Sequence, residues 1–330
     1  MTKKAAVVGV DLGGTNLRLA LVSAPGEILA RWERATPASS DRDALISTLA
    51  QHLAACGEKA GSLGVQIRGV GLGIPGRILS REGRIAFSPN LTGLNDCPLV
   101  ALLSRSVAWP LFLENDANLF TMGEHWLGAG AGHQNLLGIT LGTGVGGGLI
   151  LGGCLWQGCQ GTSGEIGHIT LEPNGRKCHC GNRGCLETLA SASWTVAWVK
   201  EQLAQGVSSW LQDLYVTDPG AIQGETLVVA AENGDPLALK AFDRVGRSLA
   251  QAIAAAVHLL GLSRVIIGGG FARAWEVFQP SLAEELHHRL TLFPLEALSV
   301  VPAQLGDDAG LLGAARLAWD LSGGGREQAA

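Results

Sequence analysis

The chain has 330 residues, 47% hydrophobic and 16% charged, with 24 Lys and Arg against 29 Asp and Glu for a net charge of −5. That apolar surplus excludes a disordered chain, and the length allows one large or two ordinary domains with full cores. The acidic balance and the lack of any basic run argue against nucleic acid or an anionic membrane as partner and leave a small solute.

The first residues, MTKKAAVVGVDLGG, carry two lysines and pass directly into a short strand, begun by about Ala5, and a turn. They lack the small-residue cleavage pattern of a secretory signal, so a cytoplasmic location is expected. Val7 to Val22, VVGVDLGGTNLRLALV, reads as apolar strand, glycine-rich hairpin and apolar strand. Behind a start signal at Ser39 and Ser40, Asp41 to Cys56 puts Leu45, Leu49, Leu53 and Cys56 on one helical face. Ile67 to Ile78 is a strand ending in Gly-Ile-Pro-Gly, and strand, helix, strand fits an α/β lobe. Trp109 to Gly128 is an apolar strand that stops at Glu114, Asn115 and Asp116 and turns into a helix.

Leu136 to Leu151, LLGITLGTGVGGGLIL, repeats the pattern of Val7 to Val22 at an offset of 129 residues, which implies two related lobes. The 21 uncharged residues from Leu136 to Trp156 hold eight glycines, which suit strand, loop and strand rather than a lipid-facing helix. A Cys/His-rich segment from Gly164 to Glu187 follows, then a helical region from about Leu186 to Gly261, within which Ser208 to Gly224 shows no clear period. Arg264 to Trp275 is a buried strand meeting Gly268-Gly269-Gly270, and Gly306 to Trp319 is a small-residue helix. The final SGGGREQAA reads as a frayed tail. The expected division is a small lobe over 1–115, completed by the helix in 306–323, and a large lobe over 116–305 carrying the insert 164–187.

Both glycine turns, DLGGTNLR (Asp11 to Arg18) and LGTGVGGG (Leu141 to Gly148), free backbone N–H groups for phosphate oxygens, though either alone is equally a tight hairpin. Their matching places on two lobes favour a nucleotide in the cleft between. Asp11 either holds Mg²⁺, directly or through water, or caps its turn. Asp116, at the carboxyl end of a strand where open α/β sheets bind ligands, either accepts a proton from a substrate hydroxyl or caps the following helix.

The chain has seven cysteines and no export signal, so a disulfide framework is disfavoured. Cys56, Cys97, Cys154 and Cys159 are expected as buried apolar fillers. His168, Cys178, Cys180 and Cys185 suit a closed tetrahedral Zn²⁺, hence a structural one, against a metal-free loop or an iron–sulfur site; His179 is an alternative ligand. Such a metal would fix a glycine-rich loop and hold Glu165, His168 and Glu187 against a polyhydroxylated ligand.

In this order, GVDLGGTN, GIPGRI, SPNLTG, ENDAN, LGTGVGGGLI, GEIGH, C-x-C-G-x-x-G-C-x-E and VIIGGG span nearly the whole chain. Together they resemble the ROK family of sugar kinases and related repressors. The resemblance implies the two-lobed fold of hexokinases and actin, ribonuclease H-like in each lobe, with a ligand cleft between the lobes. It implies ATP-dependent phosphorylation of a hexose, with Mg²⁺ and a structural Zn²⁺, and Asp116 as general base. Asn90, Asn115, Asp116, Glu165, His168 and Glu187 match the family's sugar-binding positions; its histidine touches sugar with one ring nitrogen and zinc with the other. Asp11, Gly13, Gly14, Thr15, Thr143, Gly144, Gly268, Gly269 and Gly270 match its nucleotide side.

The wording PNLTG and GEIGH points to glucose as acceptor, ahead of N-acetylmannosamine, N-acetylglucosamine, fructose and allose. Ser163 stands where the family usually has alanine, which bears on the preferred hexose. A sugar-responsive repressor is the non-enzyme alternative. The strand at Ala5 leaves it no N-terminal helix-turn-helix, and the acidic balance disfavours it. A homo-oligomer, dimer or tetramer, is expected.

Overall fold

Apolar residues on both faces of a strand predict burial between two layers, and the first strand, β1 (Lys4–Leu12), has that place. The computed structural model describes residues 4–323. β1 turns at Gly13–Thr15 into β2 (Asn16–Ser23), antiparallel, with Val10 opposite Leu19. β3 (Ile28–Ala35) extends the sheet antiparallel to β2.

Helix α1 (Arg42–Ser62) buries Leu45, Leu49, Leu53 and Cys56, but its cap is Asp41 rather than Ser39 or Ser40. Asp41 has extended backbone and accepts from the Ala44 N–H at 2.9 Å. A carboxylate there also meets the positive end of the helix dipole, which a serine hydroxyl does not exploit. The chain returns as β4 (Val65–Ile74), parallel to β1. It then makes a small hairpin, β5 (Arg77–Leu79) and β6 (Arg84–Phe87). After the short helix α2 (Leu99–Leu103) it forms β7 (Leu111–Asn115), parallel to β4.

Helix α3 (Asp116–Leu127) leads to a second sheet. β8 (Leu136–Leu141), β9 (Val145–Leu151) and β10 (Cys154–Leu155) form its antiparallel half. Helices α4 (Glu187–Ala190), α5 (Ala192–Ala204), α6 (Gln212–Thr217), α7 (Gly224–Glu232) and α8 (Pro236–Leu260) follow. β11 (Arg264–Gly268), α9 (Trp275–Arg289) and β12 (Ser299–Pro302) then complete the sheet, and α10 (Ala309–Ser322) ends the described chain. The unpatterned stretch Ser208 to Gly224 holds α6 and a turn of 3-10 helix at Pro219–Ala221. Ser322 closes α10; beyond Gly323 the expected tail lies outside the described residues.

The two sheets run β3-β2-β1-β4-β7 and β10-β9-β8-β11-β12. In both, a central strand pairs antiparallel with a hairpin partner on one side and parallel with a crossover strand on the other. The echo between two hairpins thus extends to whole sheets.

Helix α10 covers β1 and β4, and α3 covers β8 and β9, while the two helices pack on each other between the sheets. Glycine permits the closeness: a Cβ on Gly71 of β4 would stand 1.9 Å from the Ala314 carbonyl, and one on Gly313 1.8 Å from the Leu119 carbonyl. Among the described residues no helix is long and apolar enough to cross a membrane.

Candidate active site

The start of α3 forms one wall of the site. Asn115 has extended backbone, and its Oδ1 accepts from the N–H groups of Ala117 at 2.9 Å and Asn118 at 3.2 Å. Asn115 is therefore the cap, and the capping alternative for Asp116 falls away. Asp116 occupies the first helical position, half-buried, with Oδ1 accepting from the Ala117 N–H at 3.0 Å. Burial pushes its carboxyl above the ordinary value; the Ala117 amide opposes that, and the charge of Glu165 adds to it. A raised carboxyl at the carboxyl end of a strand suits proton acceptance.

Asp11 lies near enough to feel Asp116. Burial, then the Asp116 charge, push its carboxyl from 3.8 to about 6 against the pull of Arg18. In a Mg²⁺- and nucleotide-free protein, neutral Asp11 thus contributes stability that is fully present below 3.8 and lost as pH rises through about 6. Asp11→Asn is expected to melt higher than the parent at pH 7.5 by about 2–4 °C, with the gain discounted for the exposed part of the side chain. The gain should shrink as pH falls toward 4; equal melting at pH 7.5 would contradict the burial argument.

Beyond Asp11, the Gly13–Thr15 turn is braced by Thr36, whose hydroxyl donates to the Gly13 carbonyl at 2.7 Å. Asn90 stands exposed beside it, its Cβ 3.2 Å from where a Cβ on Gly14 would lie. The second turn, Gly142 to Gly144, is tied to the opposite wall, since Glu187 Oε2 accepts from the Val145 N–H at 3.1 Å. Glu165 opens a 3-10 turn, Ile166–His168. Burial raises its carboxyl, His168 pulls it down, and the charge of Glu187 pushes it up.

A cavity of 690 Å³ begins at Thr143 and runs between α5, α7 and Gly270. Its walls include Lys200, Gln223, Gly224, Phe271 and Arg273, which the sequence reading did not single out. Gly268 and Gly269 do not line it. A Cβ on Gly268 would meet the Phe120 ring at 2.6 Å, and Gly269, at φ +91°, would meet the Leu141 carbonyl at 2.4 Å. Gly268 thus leaves room for the Phe120 ring of α3, Gly269 lets the end of β11 close on the end of β8, and Gly270 reaches the cavity.

The ligand atoms of His168, Cys178, Cys180 and Cys185 all lie within 4.8 Å of one another. Cys180 and Cys185 sulfurs are 3.7 Å apart, and Cys178 Sγ is 3.8 Å from His168 Nδ1. Tetrahedral zinc, with Zn–S near 2.3 Å, spaces its sulfurs about 3.8 Å apart, so the set fits the ion. His168 turns Nδ1 to this group, which leaves Nε2 for other partners. His179 is outside it and lies against Trp194, ring centroids 5.4 Å apart. Cys56 and Cys97 are buried as expected, but Cys154 and Cys159 are exposed, because the chain leaves the sheet edge there in glycine-rich turns rather than entering a core.

The ROK family model matches residues 7–320. The chain belongs to the ROK family. This ROK chain is 38% identical to a glucokinase of Thermotoga maritima over 97% of its own length and 99% of the other's. It superposes on the crystal structure of a ROK glucokinase from Streptomyces griseus in complex with glucose and AMPPNP, TM-score 0.77 and 32% identity, covering 94% of this chain and 98% of that one. A xylose repressor of Caldicellulosiruptor bescii is 28% identical over 93% of this chain but only 76% of its own length. The fold is that of ROK hexokinases and glucokinases, α/β with mixed sheets.

Proposed function

We propose that this chain transfers the γ-phosphoryl group of ATP to a hexose, glucose first, giving glucose 6-phosphate. The observation that carries the proposal is Asp116: a carboxylate raised by burial, freed from capping by Asn115, and close enough to Glu165 for their charges to interact. Asp116 takes the proton from the acceptor hydroxyl. The hydroxyl oxygen bonds to the γ-phosphorus, the bond from that phosphorus to the bridging oxygen breaks, and ADP leaves.

Asn90, Asn115, Glu165, His168 through Nε2, and Glu187 hold the sugar hydroxyls. The Gly13–Thr15 and Gly142–Gly144 turns face the phosphates with backbone N–H groups, and the 690 Å³ cavity beyond Thr143 takes the nucleoside. Asp11 offers the hard oxygen that Mg²⁺ prefers; the ion, when bound, neutralises charge on the transferring phosphoryl group. Zinc on His168, Cys178, Cys180 and Cys185 is structural. The lobes divide at the start of α3, with 306–323 returning to the first sheet. The likeness to a glucokinase over 97% of the chain supports glucose over other hexoses.

With ATP, kcat/KM measured for glucose, N-acetylmannosamine, N-acetylglucosamine and fructose is expected to be highest for glucose by about tenfold or more, a margin set by differential hydroxyl contacts. An equal or higher value for another sugar overturns the choice of glucose. No ADP release with any hexose, beside binding to duplex DNA in a shift assay, would instead mark a repressor.

A further inference from the structure

Glu114, the residue before the cap, is buried to 1% exposure. It makes no ion pair among the described residues. A carboxylate so placed is tolerated only where donors surround it. Four groups supply them. Oε1 accepts from the Asn115 N–H at 2.8 Å and from Asn118 Nδ2 at 3.0 Å. Oε2 accepts from the Ser80 hydroxyl at 3.1 Å and from Gln157 Nε2. The Oδ1 of Asn118 has no partner among the described residues, so the hydrogen bond to Glu114 is what that buried amide provides.

These donors come from three separate segments. Asn115 and Asn118 belong to the turn that presents Asp116. Ser80 follows β5, close after Gly76, whose carbonyl accepts from Asn115 Nδ2 at 2.9 Å. Gln157 comes from the other sheet's side, in the loop that leaves β10 and runs to Ser163, Gly164 and Glu165. The same loop lies directly on β5, since a Cβ on Gly161 would stand 2.8 Å from the Ile78 carbonyl.

We infer that Glu114 is a positioning residue for phosphoryl transfer: it sets the first turn of α3, and through Gln157 it holds the Glu165-bearing loop against that turn. The inference rests on the reading of Asp116 as base and of Asn115 and Glu165 as hexose contacts. One carboxylate then fixes the spacing between the group that deprotonates the hydroxyl and the wall that grips the rest of the sugar. Near-attack alignment is sensitive to small displacements, of which about 1 Å is enough to cost a hundredfold.

Gln157 is half-buried in a loop, so its variants test the link without hollowing the core. Steady-state kinetics with both substrates varied, and melting temperatures, are to be compared for the parent, Gln157→Ala, Gln157→Glu, and Glu114→Gln/Gln157→Glu. The Ala variant loses the tie. The Glu variant sets two carboxylates against each other. The double variant restores one donor facing one carboxylate, and the amide oxygen introduced by Glu114→Gln still accepts from Asn115 and Asn118.

Both single variants are expected to raise the hexose KM and lower hexose kcat/KM by about ten- to a hundredfold, the range for a hydrogen bond to a charged group. The ATP KM should stay unchanged, and the double variant should recover most of the loss. Hexose kinetics unaltered in Gln157→Ala overturn the inference, and so does a deficit that persists in a double variant melting at the parental temperature. Asp116→Asn in the same series separates the two readings: full turnover there refutes the base, whatever the Gln157 variants do.

Discussion

Asp116→Asn is expected to bind hexose nearly as the parent does and to lose turnover by about 10²–10⁴-fold, the worth of a positioned general base. The replacement is close to isosteric, and its amide oxygen still accepts from the Ala117 N–H, the bond Asp116 makes at 3.0 Å. The cap of α3 is Asn115, so the helix start survives the change. What disappears is the acceptor for the hydroxyl proton. The loss therefore belongs in kcat, with the hexose KM little moved, the pattern of an interaction made in the transition state. The pH profile adds a sign. Because burial lifts the Asp116 carboxyl above its ordinary value, the parent's kcat/KM should fall as pH drops through that raised value, where the base becomes protonated. The variant's residual rate should lack that limb. Unaltered turnover would refute the assignment.

Legibility in the sequence followed the range of the interactions involved. The paired hairpins were readable because β1–β2 and β8–β9 are built from neighbours, with continuous apolar runs and glycine at both turns. The Cys/His group was readable because its four ligands lie within eighteen residues, from His168 to Cys185. The turn into α3 was readable as a place, yet the assignment of cap to Asn115 needed the side-chain bonds to Ala117 and Asn118. The cavity beyond Thr143 was not readable: Lys200, Gln223 and Arg273 reach it from α5, the start of α7 and the turn after β11, and no local period announces such a convergence. The exposure of Cys154 and Cys159 was missed for a similar reason. A thiol's residue type favours burial, whereas its position at a sheet edge among left-handed glycines decides against it. The ENDAN motif contains Glu114 but gives it no role of its own, since that role comes from Ser80 and Gln157, far away in the chain.

Loss of the metal should be nearly as damaging as loss of the base, though through substrate affinity. Purified protein is expected to carry about one zinc per chain. Cys185→Ser should carry none and lose about a hundredfold in hexose kcat/KM, mostly as a higher KM, the upper end of what disturbed metal surroundings cost. Cys185 is the informative ligand because it is fully buried and its backbone joins two parts of the wall. It bridges to Thr170, its carbonyl accepts from the Thr188 hydroxyl at 2.7 Å, and the next residue, Leu186, donates to the Ile169 carbonyl at 3.0 Å. The competing view is that these backbone bonds hold the loop unaided. Each is worth only about 0.5–1.5 kcal/mol net, in a segment whose residues from Glu172 to Lys177 bury little. A structural zinc contributes on the order of 10 kcal/mol in small domains, so the ion outweighs them. With it gone, Glu165, His168 and Glu187 lose a common anchor while the cavity beyond Thr143 keeps its own walls, and the ATP KM should change far less than the hexose KM. Metal analysis with kinetics on the same preparation decides the matter: a zinc-free variant with the parental hexose KM would show that the backbone alone holds this wall.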